Sequence, residues 1–595
     1  MSYDILSTSS INNLIESFKS NETTKSITPL TAKKTKYQNL SNAYTVLNSK
    51  LFQLKLVASD FKLTGTSSAF SGRSASVSNS SFLTAVASSS AAKSAYTLRV
   101  NQLAKSDIVT SEMLTSGSAN SITAGTHKFV IKTGDGSTGE YTSNVEVDVT
   151  ATETNLTLME KIRNAINSDF AIVKSTAYAA SDAYTGGDST FKINLNGTET
   201  SVSIAGGGTY SDLMDELVSK INANISGVTA EKITDSGNVS LKLVVKDQSK
   251  YISVNHDSGT TDLVSQLGIN VQKEKAAAAT VTASVFSPGT GNAQFSITTK
   301  ESGLDYRIKS IYDQTGNSAL QSLGSATTTG LNLGTTRTEF DQNTNTAGYV
   351  FADITSTGNL LNSKLEFNNI SIQRNSNTIS DLAAGITFTL KSVMQETDQD
   401  ISVTTGNDIA GIKGKIQSFI AKFNDVYSYL KTNSSYSSGN RGFFISDRNT
   451  STLMSDLKSS VLSQVSGLSD GDLSLLSQVG ISFDSTTGLT ISNNTILEQN
   501  IIDNLSELEN LFNSNNGIAN LIYSKIDPYL GAVGYLANTK SSFESNITLL
   551  NDKIKRNQVS IDKGADVLRR KYEQMQAQLA AMITLQNMLF SGGSV

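Results

Sequence analysis

Apolar residues recur at heptad spacing toward both ends of the chain and alternate with polar ones through its middle. Leu30, Tyr37, Tyr44, Leu51 and Ala58 fall seven apart, as do Lys33, Leu40, Leu47, Leu54 and Phe61, so nine of these ten positions are apolar. Pro29 stands just before them, which suits the first turn of a helix. At the other end Ile547, Ile554, Ile561, Leu568, Met575, Met582 and Leu589 form a second stripe. Its companion positions begin as Phe543 and Leu550 and then shift phase to Ala565, Tyr572 and Leu579, with Asn557 and Gly564 marking an expected irregularity or helix break. A straight helix over 543–589 spans about 70 Å. A third stripe follows Asp408, the expected cap: Ile409, Ile412, Ile416, Phe419, Phe423, Val426 and Leu430. Spacings of three and four put these residues on one helical face. The three stripes predict one bundle, with Leu40, Tyr44, Leu47, Leu51, Leu54, Ile412, Ile416, Phe419, Phe423, Ile547, Ile554 and Ile561 in its core.

The extreme ends fit that bundle less well. Ile5, Leu6, Ile11, Leu14, Ile15 and Phe18 make a short amphipathic segment with the cap-like Ser9–Ser10, set off from the long helix by the polar SNETTKS. The last turns carry Leu568, Tyr572, Met575, Leu579, Met582, Ile583, Leu585, Met588, Leu589 and Phe590, apolar on more than one side. Methionine-rich faces adapt to more than one partner, and short amphipathic tips can fold on binding.

Between the ends lies a repeat at a register of 55 residues. NLTLMEKIRNAINSDFAIVKS (155–175) aligns with TYSDLMDELVSKINANISGVTA (209–230), pairing Leu158 with Leu213, Met159 with Met214, Ile166 with Ile221 and Asn167 with Asn222. Each copy follows alternating stretches, THKFVIK and VEVDV or FKINLNG and TSVSIAG, so the unit reads as a hairpin followed by a helix. Glycine marks the same division, since 39 of the 42 glycines lie between residues 65 and 534. The predicted fold is an α+β multidomain one: a long coiled-coil-like helical leg built from both chain ends, with inserted β-rich and α+β head domains. The expected order is a flexible segment at 1–28, a leg helix at 29–64 and a link with a strand at 65–112. Head modules follow at 113–360, a returning β segment at 361–406, a helical leg domain at 407–540, and a C-terminal leg helix with a flexible tip at 541–595.

Composition narrows the chemistry. The chain has 595 residues, too many for one core, with no Cys, no Trp, three Pro and two His. Thiolate metal sites, disulfides and cysteine nucleophiles are excluded, and His127 and His256, both in polar or alternating stretches, read as surface residues. No nucleotide-binding, zinc-protease, serine-hydrolase or calcium-loop motif occurs, so no enzyme, cofactor or metal is expected. The N-terminus MSYDILSTSSINN has neither a basic nor an apolar signal region, and no apolar run approaches the roughly 20 residues that span a bilayer. Net charge is −5, with the two ends together at +7. No stripe of basic residues interleaved with aromatics marks a nucleic-acid surface.

One polar string, RNSNTISDLAAGITFTLK at 374–391, has two readings: a pocket lined by Arg374, Asn375, Asn377 and Asp381, or a turn that returns a long excursion of chain. The second fits Asn at turn positions and Ile386, Phe388 and Leu390 on one strand face. With its preceding LEFNNISIQ, this string resembles the return strands of the flagellar hook-associated protein 2 family, the filament caps. Three more stretches carry the resemblance in the family's order: SSINNLIESFKSNETTKSITPLTAKKTKYQNL with AYTVLNSKLFQL; SAYTLRVNQLAKSDIVTSE; and SLLSQVGISFDSTTGLTIS with ELENLFNSNNGIANLI and the C-terminal heptads. The chain departs from the family at Ser9 and Ser10, where glycines are usual, and at Asn368–Asn369, which replace an Asp-Gly turn.

The resemblance implies a cap at the flagellar tip. It would be exported through the flagellar type III apparatus, assembled as a ring of copies (five at the level of the family), and would hold flagellin until it folds into place. Its implied partners are itself, flagellin, the hook-associated junction proteins and an export chaperone, without membrane insertion. Filament contact falls to Ile11, Leu14, Ile15, Phe18, Leu568, Tyr572, Met575, Leu579, Met582, Leu585 and Leu589. Two other classes remain open: a junction protein or flagellin variant, and a surface adhesin whose head binds host mucin or glycans.

Overall fold

The computed structural model describes residues 7–134, 139–314, 331, 333, 347–351, 359–437 and 440–591. The chain divides into two compact units, one drawn from both chain ends (1–74, 88–90 and 406–595) and one from 75–87 and 91–405.

The first unit is helical. Its Thr28–Phe61 helix carries Pro29 in the first turn, where the missing N–H has no intrahelical partner to lose. Ile27 alone separates it from the Thr8–Ser26 helix. The Ile27 N–H still reaches the Thr23 carbonyl and its carbonyl accepts from Thr31 N–H, both at 2.9 Å. The two helices thus continue as one bent rod, antiparallel to the C-terminal helix Tyr535–Ser591. Tyr37 stacks on Phe543 at 5.9 Å, Asn557 donates to the Ser26 carbonyl at 3.1 Å, and Lys19 lies 3.7 Å from Asp562. The Ile409–Asn433 helix is capped by Asp408, which accepts from Gly411 N–H at 2.9 Å. It buries Ile412, Ile416, Phe419, Phe423, Val426 and Leu430 against Tyr44, Leu47, Leu51, Leu54, Ala58 and Phe61. Phe61, Phe70, Phe419 and Phe512 close this core ring to ring. Each such side chain withdrawn from water contributes about 1.5–3 kcal/mol.

Several expectations for the first unit change. Residues 8–26, placed in a flexible segment, are helical, and SNETTKS lies inside the helix. It holds no Gly or Pro to break the helix, and its side chains are exposed or half-buried. Ser7, rather than Ser9 or Ser10, is the cap, accepting from Ser10 N–H at 3.2 Å. The C-terminal helix has no break at Asn557 or Gly564. Leu40, Ile547 and Ile554, assigned to the bundle core, are half-buried, whereas Leu550 and Ile561 are buried. The third helix accounts for Leu40. Near its end Tyr429 donates to the Ala43 carbonyl at 3.1 Å, so before residue 43 only two helices remain to enclose the seam.

In the second unit, strands Ser363–Phe367 and Ile370–Arg374 form a hairpin whose turn is Asn368–Asn369, at φ +50° and +66°. Both angles are left-handed, which Asn tolerates. Asn368 is also held in place: its N–H donates to the Thr97 carbonyl at 2.8 Å and its Oδ1 accepts from Thr97 N–H at 2.9 Å. RNSNTI is then a tied crossover. Asn377 grips Ala104 through both of that residue's backbone groups, at 2.7 and 2.9 Å, and Arg374 pairs with Asp381 at 2.9 Å. Asn375 is pressed onto Gly303, whose φ is +96° and where a Cβ would come within 2.4 Å of the Asn375 Cα. Ile386, Phe388 and Leu390 are all buried.

The repeat becomes two nested modules. Strands Gly125–Thr133 and Tyr141–Val149 with helix Asn155–Asn167 open the first, and strands Val281–Phe286 and Asn292–Ser302 complete it. The second is inserted between those halves: strands Ser189–Leu195 and Thr198–Ile204, helix Tyr210–Asn224, strands Val228–Asp235 and Asn238–Val245. Thr154 and Thr209 cap the two helices. The paired asparagines make one clamp twice: Asn167 grips the N–H and carbonyl of Ala283, both at 2.8 Å, and Asn222 those of Ala230 at 2.8 and 2.9 Å. A seven-stranded sheet runs through both modules, joined where Val271–Lys275 lies parallel to Tyr141–Val149. Parts of the 113–360 head assignment, including 315–330 and 334–346, fall outside the described residues.

Candidate functional site

The apolar ends of the chain meet along the C-terminal helix. Ile11 and Ile15, 3% and 1% exposed, pack on Ala565, with Phe18 and Tyr572 partly buried around them. Gly564, read as a phase marker, is a point of close approach: a Cβ there would lie 3.1 Å from the Phe18 ring. Polar contacts flank the seam, with Arg569 donating to Asn12 Oδ1 at 3.0 Å and Lys19 facing Asp562. These flanking residues carry no heptad signal and are missed by a search for apolar stripes, although Asp562 and Arg569 are themselves seven apart.

The remaining candidates separate by position. Leu14 points away from the seam and is 45% exposed. Leu568, Tyr572 and Leu579 are half-buried. Met575, Met582, Leu585 and Leu589 are 49, 64, 59 and 76% exposed; the Phe590 side chain lies outside the described residues. Asn12 faces Arg569 and Lys19 faces Asp562, so among the described residues the antiparallel partner, which starts at Thr8, reaches to near residue 573, with about 25 Å of helix beyond that point. Over that stretch Met575, Met582, Leu585 and Leu589 present their apolar side chains largely exposed. A continuous apolar face on a rigid helix can bind a complementary apolar surface by exclusion of water.

A second cluster bears on catalysis. Where the chain passes between the nested modules, a cleft of about 520 Å³ is lined by Lys128, Asn144, Glu146, Asp169, Phe170 and Lys174, among others. Burial pushes the Asp169 carboxyl up to about 7, against the hydrogen bonds from Ala277 and Phe170 N–H that pull it down. Burial likewise pushes Glu274 up to about 8, against its bonds from Asn144. Both carboxyls are committed to the joint. Asp169 accepts from Ala277 N–H at 2.6 Å, and Glu274 accepts from the Asn144 backbone and side chain at 2.9 and 2.7 Å. Glu146 sits between Lys128 and Lys174 at 3.1 and 2.7 Å. His127, expected at the surface, is buried with Nε2 2.8 Å from the Thr123 carbonyl. His256 Nδ1 lies 3.7 Å from Asp262. Among the described residues no group of three or more His, Asp or Glu is placed to hold a metal ion, and no helix is long and apolar enough to cross a membrane.

One unit is built from both chain ends, and the stretch of sequence between them forms the β-rich unit. The two ends match the N-terminal and C-terminal domains of flagellar hook-associated protein 2 over residues 7–107 and 361–584, together more than half of the chain. The chain belongs to the flagellar hook-associated protein 2 family. It is 24% identical over 380 residues to the A-type flagellar hook-associated protein 2 of Pseudomonas aeruginosa, spanning 62% of this chain and 72% of that one. To the flagellar hook-associated protein 2 of Salmonella typhimurium it is 24% identical over 247 residues, 39% of this chain and 51% of the relative. The crystal structure of the flagellar cap protein FliD D1-D2-D3 domains from Escherichia coli aligns over 84% of this chain and 99% of its own, at TM-score 0.41 and 16% identity.

Proposed function

We propose that this chain caps the distal end of the flagellar filament, as a ring of copies that retains exported flagellin and promotes its folding into the next vacant site. The observation that carries the reading is the exposure of the apolar residues Met575, Met582, Leu585 and Leu589 at the end of the C-terminal helix, in a chain of the hook-associated protein 2 family. Export through the flagellar apparatus places the protein outside the cell at the tip. Residues 29–64 and 407–595 serve as the leg, and 113–360 as the head. The tip residues Leu568, Tyr572, Met575, Leu579, Met582, Leu585 and Leu589, with Leu14 beside them, contact the filament, the junction proteins during assembly, and an export chaperone before secretion. Ile11, Ile15 and Phe18 contribute by fixing the N-terminal helix on the same rod. The cap must be retained and yet step, which favours a contact of limited area at an exposed helix end, because binding energy is offset by ordering and lost rotational freedom.

Deleting residues 575–595 tests this in a strain lacking the native gene. The expected outcome is short or absent filaments by negative-stain microscopy, with monomeric flagellin in the medium. Filaments of normal length would overturn the assignment.

A further inference from the structure

With no cysteine in the chain, its nine methionines are its only oxidisable sulfur. Their distribution is uneven. Met159 and Met214 are fully buried on the inner faces of the two repeat helices, Met394 is buried, and Met454 is partly buried against the helical core. Met575, Met582 and Met588 are 49, 64 and 65% exposed, and Met113 is the other exposed methionine among the described residues. Three of the four exposed sulfurs therefore fall within 14 residues of one helix. The change of residue type follows the exposure: the stripe reads Ile547, Ile554, Ile561 and Leu568 where it is buried or half-buried, and Met575 and Met582 where it is exposed. Seven residues apart, Met575 and Met582 share a face with Leu568 and Leu589.

We propose that Met575 and Met582 are oxidation sites, at which a peroxide converts the apolar tip of the C-terminal helix into a polar one and thereby releases it from its docking surface. The release rests on the filament-contact reading; the site does not. In the step itself the thioether sulfur attacks one oxygen of the peroxide and the O–O bond breaks. One oxygen stays on sulfur as the sulfoxide, the sulfur loses two electrons, and the other oxygen leaves as water or an alcohol. A sulfoxide is polar and chiral, so two of them seven residues apart interrupt the stripe on both turns that would meet a partner. The change is reversible by sulfoxide reduction, whereas oxidation of the buried Met159 and Met214 would require the modules to open. A leucine stripe would dock as an apolar face too, but it could not be turned off in this way.

The test has two arms. Purified full-length protein is exposed to dilute hydrogen peroxide and mapped by peptide mass spectrometry. The expected result is sulfoxide at Met575 and Met582 at least tenfold sooner than at Met159 and Met214; equal rates, or slower reaction at the tip, overturn the site. In the second arm, retention on isolated filaments is measured before and after peroxide, for the native chain and for M575L/M582L/M588L. Each protein is compared only with its own untreated sample. The expected result is a loss of tenfold or more in the native chain, recovered with methionine sulfoxide reductase, and little loss in the leucine variant. A native chain that binds filaments and is insensitive to peroxide overturns the release. An untreated native chain that does not bind filaments overturns the filament-contact reading, and with it the release, and leaves the oxidation sites to stand on the mapping.

Discussion

Replacing Ile15 with alanine should detach the Thr8–Ser26 helix without unfolding the unit it belongs to. Ile11 and Ile15 are the only buried residues of that helix, and their cluster contains one further buried residue, Ala565. Two isoleucines taken fully out of water contribute roughly 3–6 kcal/mol. The flanking Lys19–Asp562 pair is partly solvent-exposed and adds about 0–1 kcal/mol. A helix of this length and polarity is marginal in water without tertiary contacts, so this small cluster is the main apolar contact that docks its N-terminal part. Large-to-small substitution at a buried site costs about 2–5 kcal/mol. A seam between two helices, open on one side, can partly collapse, which places Ile15→Ala at about 2–3 kcal/mol, or a roughly 30- to 150-fold rise in local opening. Hydrogen exchange followed by mass spectrometry reads this directly. Amides of residues 11–26 should exchange faster by that factor, while those of 412–430 in the bundle core keep their native rates. Unchanged exchange in 11–26 would refute the reasoning, because the helix would then be held by something other than this cluster. Equal acceleration in both segments would refute it differently, by making the helix part of one cooperative unit with the core.

Asp447→Ala should destabilise the helical unit by roughly 2–4 kcal/mol, because Asp447 caps the Arg448–Leu462 helix and accepts from the Tyr44 and Tyr535 hydroxyls, leaving both donors unpaired; the denaturant midpoint checks it. Asn222→Ala strips both backbone groups of Ala230 of their partner and should cost about 2–3 kcal/mol, read as lost protection in strand Val228–Asp235 with the helical unit unaffected. The buried carboxyls set a pH dependence. Asp169 at about 7 and Glu274 at about 8 bind protons more tightly folded than unfolded. Their contribution is therefore full below the unfolded values near 4 and is lost as pH rises through 7–8. The urea midpoint of the inserted unit should fall between pH 5 and pH 8, and Glu274→Gln should flatten that fall; a midpoint that rises over the range would contradict the sign.

The heptad stripes determined the helical class of both ends, since a 3.5-residue apolar repeat is satisfied only by a helix buried along one face. Asp408 as a cap and the seam from Ile412 to Leu430 are local features and could be read directly. The 55-residue register paired Asn167 with Asn222 before their common clamp was visible, because both copies need the same contact between helix end and strand. Tertiary structure alone decided which stripe positions are core. Leu40 keeps the spacing of Leu47 but stands where the third helix has ended, so its burial depends on a neighbour hundreds of residues away, and in the two-helix stretch Leu550 and Ile561 are buried while Ile547 and Ile554 are not. Gly564 reads locally as a helix breaker, and only the approach of the Phe18 ring explains it. The nesting of one repeat module inside the other was likewise hidden, because strand pairing across an insertion leaves no periodicity in the chain. Sequence pattern records what each segment must bury, and long-range contacts determine which segments are there to bury it.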